Sequence, residues 1–183
     1  MKLKHIYRNI IISIIVGIVL GTITEYALIW NISWLIKITQ SFIFWGAIIC
    51  LISFIQENFV FTIINPIIVL SLMDISYYLI RLLKSGYTNI EGLAVYMFTG
   101  IVGSFYIGTA MFLIKNKYIF HRTKCHLQLY SLFAMTIMGI IFAITGYGHS
   151  INHNLSYNIG LGIMIGFILG IIITKVLKNK NTD

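Results

Sequence analysis

Charged side chains are scarce in this sequence, and their scarcity excludes a soluble globular protein. Only 10% of the 183 residues are Asp, Glu, Lys or Arg, and 58% are hydrophobic. Soluble domains carry roughly 25% charged residues, so this chain lacks the polar surface that a globule needs in water. We therefore predict an integral, all-α membrane protein with the lipid bilayer as its main environment.

Acidic residues and cysteines are also few. Five acidic residues face thirteen basic ones, which gives a net charge of +8. The basic residues cluster beside apolar runs, as membrane orientation requires, so we expect no nucleic-acid partner. The two cysteines, Cys50 and Cys125, provide neither a disulfide framework nor a paired metal-ligand spacing. The sequence predicts no metal site and no cofactor.

Six apolar segments are long enough to cross a bilayer, which needs about 20 residues of helix. We predict one domain, a single bundle of six transmembrane helices over residues 1–183. The predicted spans are Asn9–Trp30, Trp34–Gln56, Phe59–Leu83, Gly92–Ile114, Leu127–Tyr147 and Tyr157–Leu177.

The only proline, Pro66, lies inside the third predicted span. Proline has no backbone N–H, so the carbonyl four residues earlier, at Thr62, loses its helical donor. In lipid, a neighbouring helix has to satisfy that carbonyl.

Basic residues are distributed unequally between the two sides of the predicted bundle. With the N-terminus inside, ten face the cytoplasm: Lys2, Lys4, Arg8, Lys115, Lys117, Arg122, Lys124, Lys175, Lys178 and Lys180. Three face the other side: Lys37, Arg81 and Lys84. The positive-inside rule therefore predicts that both termini are cytoplasmic. The excess of Ile, and of Lys over Arg, suggests an AT-rich bacterial genome and hence the bacterial cell membrane.

Small residues recur at four-residue spacing on three predicted helices. These residues are Ser13, Gly17 and Gly21; Gly100, Ser104 and Gly108; and Gly162, Gly166 and Gly170. Such stripes let helix backbones approach closely in lipid. They predict packing within the bundle, or alternatively a docking face for another membrane protein.

Polar residues gather in the outer half of the predicted bundle. Asp74, Tyr77, Tyr78 and Arg81 share one helical face, and Asp74 lies about 15 Å below the outer end of its helix. The candidate substrate-binding residues are Glu25, Lys37, Gln40, Asp74, Tyr77, Tyr78 and Arg81. An ionisable residue inside a span suggests a functional site. The alternative is a structural pair of Asp74 with Arg81.

Two further motifs invite functional interpretations that we do not favour. The stretch "ITGYGH" resembles a potassium-channel filter, but a full-length span precedes it instead of a short re-entrant helix. His149 and His153 have metal-ligand spacing without a third ligand beside them. We interpret the first stretch as a helix end and the second as a polar loop.

The stretches "SWLIKITQSFIFWGAII" and "MDISYYLIRL" resemble an uncharacterised family of small six-span bacterial membrane proteins. The size, the predicted spans and the outer polar cluster are also similar to the substrate-binding subunits of energy-coupling-factor vitamin transporters. That second resemblance implies a transport partner docked on Ser13, Gly17 and Gly21.

For function, the sequence favours binding or transport of a small polar solute through an outward-facing pocket. The alternative is a non-enzymatic interaction, immunity or regulatory protein that acts through its helix faces. No set of nucleophile and base is visible, so we predict no catalytic residues.

Overall fold

A computed structural model describes residues 2–116, 126–147 and 155–180 of the chain. These residues form seven α-helices and no strand, which confirms the all-α prediction. The helices are α1 (Lys2–Ile29), α2 (Ser33–Thr39), α3 (Phe42–Ile55), α4 (Phe59–Ser85), α5 (Ile90–Lys115), α6 (His126–Tyr147) and α7 (Leu155–Lys180). Within the described residues, α1, α4, α5, α6 and α7 are long and apolar enough to cross a membrane. His149, His153, Cys125 and most of the predicted basic loop (Lys117, Arg122, Lys124) lie outside the described residues.

The second predicted span is wrong as one continuous helix, because α2 ends at Thr39 and α3 begins at Phe42 with a bend of 57°. Ser41 causes the restart, since its hydroxyl oxygen accepts a hydrogen bond from the Phe44 N–H at 3.2 Å and so caps α3. The indole Nε1 of Trp45 donates to the Thr39 carbonyl at 2.9 Å. The break therefore leaves this carbonyl at the end of α2 with a partner.

The bent pair α2–α3 returns the chain along α1. At one end, the Ile32 N–H donates to the Ala27 carbonyl at 2.9 Å. At the other end, the Asn9 amide donates to the Gln56 Oε1 at 3.2 Å. Positions 9 and 27 are about 27 Å apart along α1 at 1.5 Å per residue, close to the thickness of a bilayer core. The described residues therefore hold five helices long enough to cross a membrane, and six spans if the bent pair is taken as one.

The chain divides into two compact units, Met1–Ser104 and Phe105–Asp183. In the first unit, α1 and α4 pack in parallel through the glycines of α1. A Cβ added at Gly17 would lie 2.6 Å from the Val69 carbonyl oxygen, and one at Gly21 would overlap the Met73 carbonyl. Only glycine allows backbones to approach this closely. Ser13, one turn earlier, is buried and lines a cavity of about 130 Å³.

The first part of α5 packs against α4 in the opposite direction. A Cβ at Gly100 would lie 3.2 Å from the Leu70 Cβ. The Ser104 hydroxyl is fully buried and donates to the Gly100 carbonyl at 2.7 Å. Gly108, the last member of this stripe, is buried too.

In the second unit, α6 and α7 pack in antiparallel fashion through the glycines of α7. A Cβ at Gly162, Gly166 or Gly170 would overlap the backbone of α6. The α6 residues in these contacts are Met138, Ala134 and Ser131, in that order. The stripe on α7 is therefore covered by a helix of its own chain.

The Thr62 carbonyl, which Pro66 deprives of its helical donor, has a partner on α3. The Ser53 hydroxyl donates to it at 2.7 Å, and both residues are almost completely buried. The prediction that a neighbouring helix satisfies this carbonyl is confirmed.

Replacing Ser53 by alanine is expected to lower the free energy of unfolding by about 1–2 kcal/mol, because it leaves a buried carbonyl without a donor. Thermal or denaturant unfolding of the purified protein in detergent measures this loss. Pro66→Ala supplies the matched background, since an alanine N–H at position 66 restores the helical donor to the Thr62 carbonyl. Ser53→Ala should then cost much less in the Pro66→Ala protein. An equal loss in both backgrounds would contradict this account.

Candidate functional site

A cavity of about 220 Å³ lies in the first unit around Asp74. Helices α1, α2, α3, α4 and α5 all contribute to its wall. Its lining residues are Thr24, Thr39, Gln40, Phe42, Trp45, Met73, Asp74, Tyr77, Tyr78, Tyr96 and Thr99. Almost half of these side chains are aromatic, and Asp74 is the one carboxylate among the described lining residues. None of the described lining residues is Lys, Arg or His.

Asp74 is buried, and no described residue forms an ion pair with it. Its residue surface is 3% exposed, and its Oδ2 atom accepts no hydrogen bond from any described residue. Tyr77 and Tyr78 follow it at i+3 and i+4, so the helical repeat puts all three side chains on the cavity side of α4. A carboxylate removed from water without a partner is costly, so this position calls for a compensating ligand, proton or solvent.

Two pairs of aromatic rings line the same cavity as the Asp74 carboxylate. Tyr77 and Tyr78 meet edge to face with their ring centroids 5.0 Å apart. Trp45 of α3 and Tyr96 of α5 pair at 6.0 Å. Gly92 makes room for the Tyr78 hydroxyl, because a Cβ at this position would lie 2.7 Å from that oxygen.

Arg81 pairs with Glu25 of α1. Its Nε donates to the Glu25 Oε1 at 3.3 Å, and its Nη2 donates to the Oε2 at 3.1 Å. Nη2 also donates to the Tyr77 hydroxyl, and the guanidinium carbon lies 4.6 Å from the centre of the Tyr77 ring. This bidentate geometry is the strong form of an Arg–carboxylate pair. The charge of Arg81 is therefore balanced by Glu25.

The structure brings most of the predicted polar residues together. Gln40, Asp74, Tyr77 and Tyr78 line the cavity. Glu25 and Arg81 lie behind Tyr77 as an ion pair. Lys37 is exposed on α2 and is not among the lining residues.

Several lining residues were missed by the sequence analysis. They are Thr24, Thr39, Phe42, Trp45, Met73, Tyr96 and Thr99. None carries a charge, so in an apolar span they look like ordinary helix residues. Tyr96 and Thr99 have i, i+3 spacing on α5, which is the signal that links them to one face.

The chain belongs to a family of unknown function, DUF6518. The family profile matches residues 1–177, which is nearly the whole sequence. This confirms the resemblance to an uncharacterised family, whereas the similarity to energy-coupling-factor subunits stays a prediction. No curated protein and no solved structure matches the chain.

The two carboxylates of this region should respond differently to the same chemical change. Glu25→Gln leaves the Arg81 guanidinium without its charge partner, so we expect a loss of about 1–3 kcal/mol in the free energy of unfolding. The figure lies below that of a fully buried pair, because the Arg81 side chain is 34% exposed. Asp74→Asn strands no cation, so it should leave stability unchanged or raise it.

Unfolding of both variants in detergent tests this contrast. Adding Arg81→Gln to Glu25→Gln should recover much of the loss, whereas adding it to Asp74→Asn should recover nothing. Mutual rescue between positions 74 and 81 would show that those two residues form the structural pair.

Proposed function

We propose that this protein binds a small polar solute in the cavity around Asp74 and acts as a membrane-embedded solute receptor or carrier. The observation that carries the proposal is the Asp74 carboxylate, which is buried in the wall of a cavity and whose Oδ2 bonds to no described residue. Burying such a group costs several kcal/mol unless something compensates it. A bound solute supplies that compensation and gives a reason for keeping the group.

The location of the cavity agrees with a binding site. It lies at the broken helix α2–α3, and irregular backbone within a membrane is tolerated where it lines a cavity or is buried in protein. Discontinuous helices build the solute sites of many transporters. This geometry is compatible with a solute receptor and with a solute carrier, and the proposal includes both.

The competing interpretation, an interaction protein that acts through small-residue helix faces, has less support. The glycines of α1 lie against α4, and those of α7 lie against α6. These stripes are used within the chain, so they do not offer a free docking surface.

We further propose that both termini lie in the bacterial cytoplasm and that the cavity opens to the other side. Thr24 and Asp74 stand in the C-terminal parts of the parallel helices α1 and α4. If the basic N-terminus stays inside, both helices end on the outer side.

Reporter fusions test this orientation. Joined after Gly86, just beyond α4, a reporter that works only outside the cytoplasm should be active, and a reporter that works only inside should be inactive. One joined after Lys115, at the end of α5, should show the opposite preference. A cytoplasmic Gly86 fusion would contradict the outward opening while leaving the cavity itself in place.

A cavity-filling substitution tests solute binding. Thr99 lines the cavity and is exposed, and its hydroxyl donates to the Val95 carbonyl of its own helix. Thr99→Trp should therefore fill the cavity without disturbing the core and reduce solute retained through purification at least about tenfold. Mass spectrometry of denatured, purified protein measures that retention.

Thr145→Trp is the matched control, because Thr145 is also exposed and also donates to its own helix, at Ile141, but lies in the second unit. This variant should keep the wild-type solute. Identical solute content in the wild type, Thr99→Trp and Thr145→Trp would contradict the proposal. So would a wild-type protein that retains no solute and is stabilised against unfolding by none.

A further inference from the structure

We infer that the solute carries a positively charged nitrogen with N–H donors: the site selects an organic ammonium ion. This inference rests on the proposed solute function and specifies the chemical class of its ligand. Three independent properties of the lining lead to it: its carboxylate, its aromatic content and the acceptor oxygens of its threonine hydroxyls.

The lining holds one carboxylate that no described basic side chain of the wall neutralises. Asp74 is the single ionisable carboxylate of the described wall, and no basic side chain stands among the described lining residues. Arg81, which donates to the hydroxyl of the lining residue Tyr77, is held by both carboxylate oxygens of Glu25. A cationic solute would complete the charge balance of the site, whereas an anionic one would add repulsion at short range.

The aromatic content suits a cation as well. Five lining residues are aromatic: Phe42, Trp45, Tyr77, Tyr78 and Tyr96. The face of such a ring attracts a cation within about 6 Å of its centre. The guanidinium of Arg81 already uses Tyr77 in this way, at 4.6 Å. Rings around a carboxylate can hold an ammonium group while shielding its carbon chain from water.

The three threonine hydroxyls of the lining present acceptors rather than donors. Thr24, Thr39 and Thr99 each donate their single hydroxyl proton to a carbonyl of their own helix, at 2.8, 2.9 and 2.8 Å. A hydroxyl that has donated its proton can only accept further hydrogen bonds. Together with the Asp74 Oδ2, these oxygens fit a ligand that is rich in N–H donors. A quaternary ammonium ion satisfies the rings but not these acceptors.

Matched sets of small molecules isolate the charged group. Ethanolamine, ethylene glycol and glycolate differ only in a terminal ammonium, hydroxyl or carboxylate. Tyramine, tyrosol and 4-hydroxyphenylacetate make the same comparison on a larger, aromatic scaffold. Binding is measured calorimetrically on the full chain in phosphatidylglycerol nanodiscs.

In at least one set, the ammonium compound should bind about tenfold or more tightly than its neutral and anionic counterparts. Asp74→Asn should remove most of that preference. Glu91→Gln is the control, since Glu91 is an exposed carboxylate at the start of α5 that does not line the cavity; its affinities should stay within about twofold of wild type.

Two sources can supply an ammonium group, a free amine and a phosphatidylethanolamine headgroup. Adding phosphatidylethanolamine to the nanodiscs separates them, because a headgroup that occupies the site displaces the soluble probe. Either result supports the ammonium chemistry and identifies its source.

The inference is overturned if the ammonium member of neither set binds at millimolar concentration, or if in both sets a neutral or anionic member binds as tightly as the ammonium member. Binding of an anionic or neutral member that Thr99→Trp abolishes would overturn the ammonium inference while leaving the proposed solute function intact. If Thr99→Trp changes the binding of no solute, both the ammonium inference and the proposed solute function are overturned.

Discussion

The parallel contact of α1 with α4 determines the arrangement of the site. Gly17 and Gly21 bring α1 onto the backbone of α4 at Val69 and Met73, and this register is fixed because no larger side chain fits. Continuing the same register by one turn places Glu25 at the level of Tyr77, and Arg81, one turn further along α4, reaches back to its carboxylate. Asp74, the residue after Met73, is left facing a cavity instead of a cation. The pairing of one carboxylate and the isolation of the other thus follow from two glycines.

The parallel register also explains why a broken helix belongs beside the cavity. Two parallel helices joined along one chain need a return crossing, which α2 and α3 provide between Ala27 and Asn9 of α1. The break after Thr39 turns the chain by 57° at the level of the cavity. It places Thr39 and Trp45 on the same wall, with the indole of Trp45 bonded to the carbonyl of Thr39. The return crossing therefore supplies part of the site.

Much of this fold could be predicted from composition and spacing. Long apolar runs predicted five of the spans to within a few residues, because a helix that crosses lipid is a run of about 20 apolar residues with few polar interruptions. The need for a donor at the Thr62 carbonyl followed from Pro66 alone, and Ser53 supplies it. The break at Gln40 was missed because no glycine or proline marks it. Only the capping role of Ser41 signals it, and a serine within an apolar span is commonplace.

The partner of Arg81 shows what the sequence could not give. The alternative interpretation paired Arg81 with Asp74, because the two residues share a helix face and local spacing is all that a single sequence displays. The true partner, Glu25, is 56 residues away, and finding it requires the α1–α4 register. The signal that was present is the position of Glu25 on the continuation of the Ser13, Gly17 and Gly21 stripe.

Tyr77 connects the Glu25–Arg81 ion pair to the wall of the cavity. One side of the residue belongs to the ion pair, since its hydroxyl accepts from Arg81 and its ring lies under the guanidinium. Its other contacts belong to the cavity wall, where it meets Tyr78 edge to face. The ion pair thereby restricts the rotamer of an aromatic wall residue, and a rigid wall loses less entropy when a ligand binds. Under the proposed function, Glu25 and Arg81 would influence binding without contacting the solute, because they hold a ring that lines the cavity.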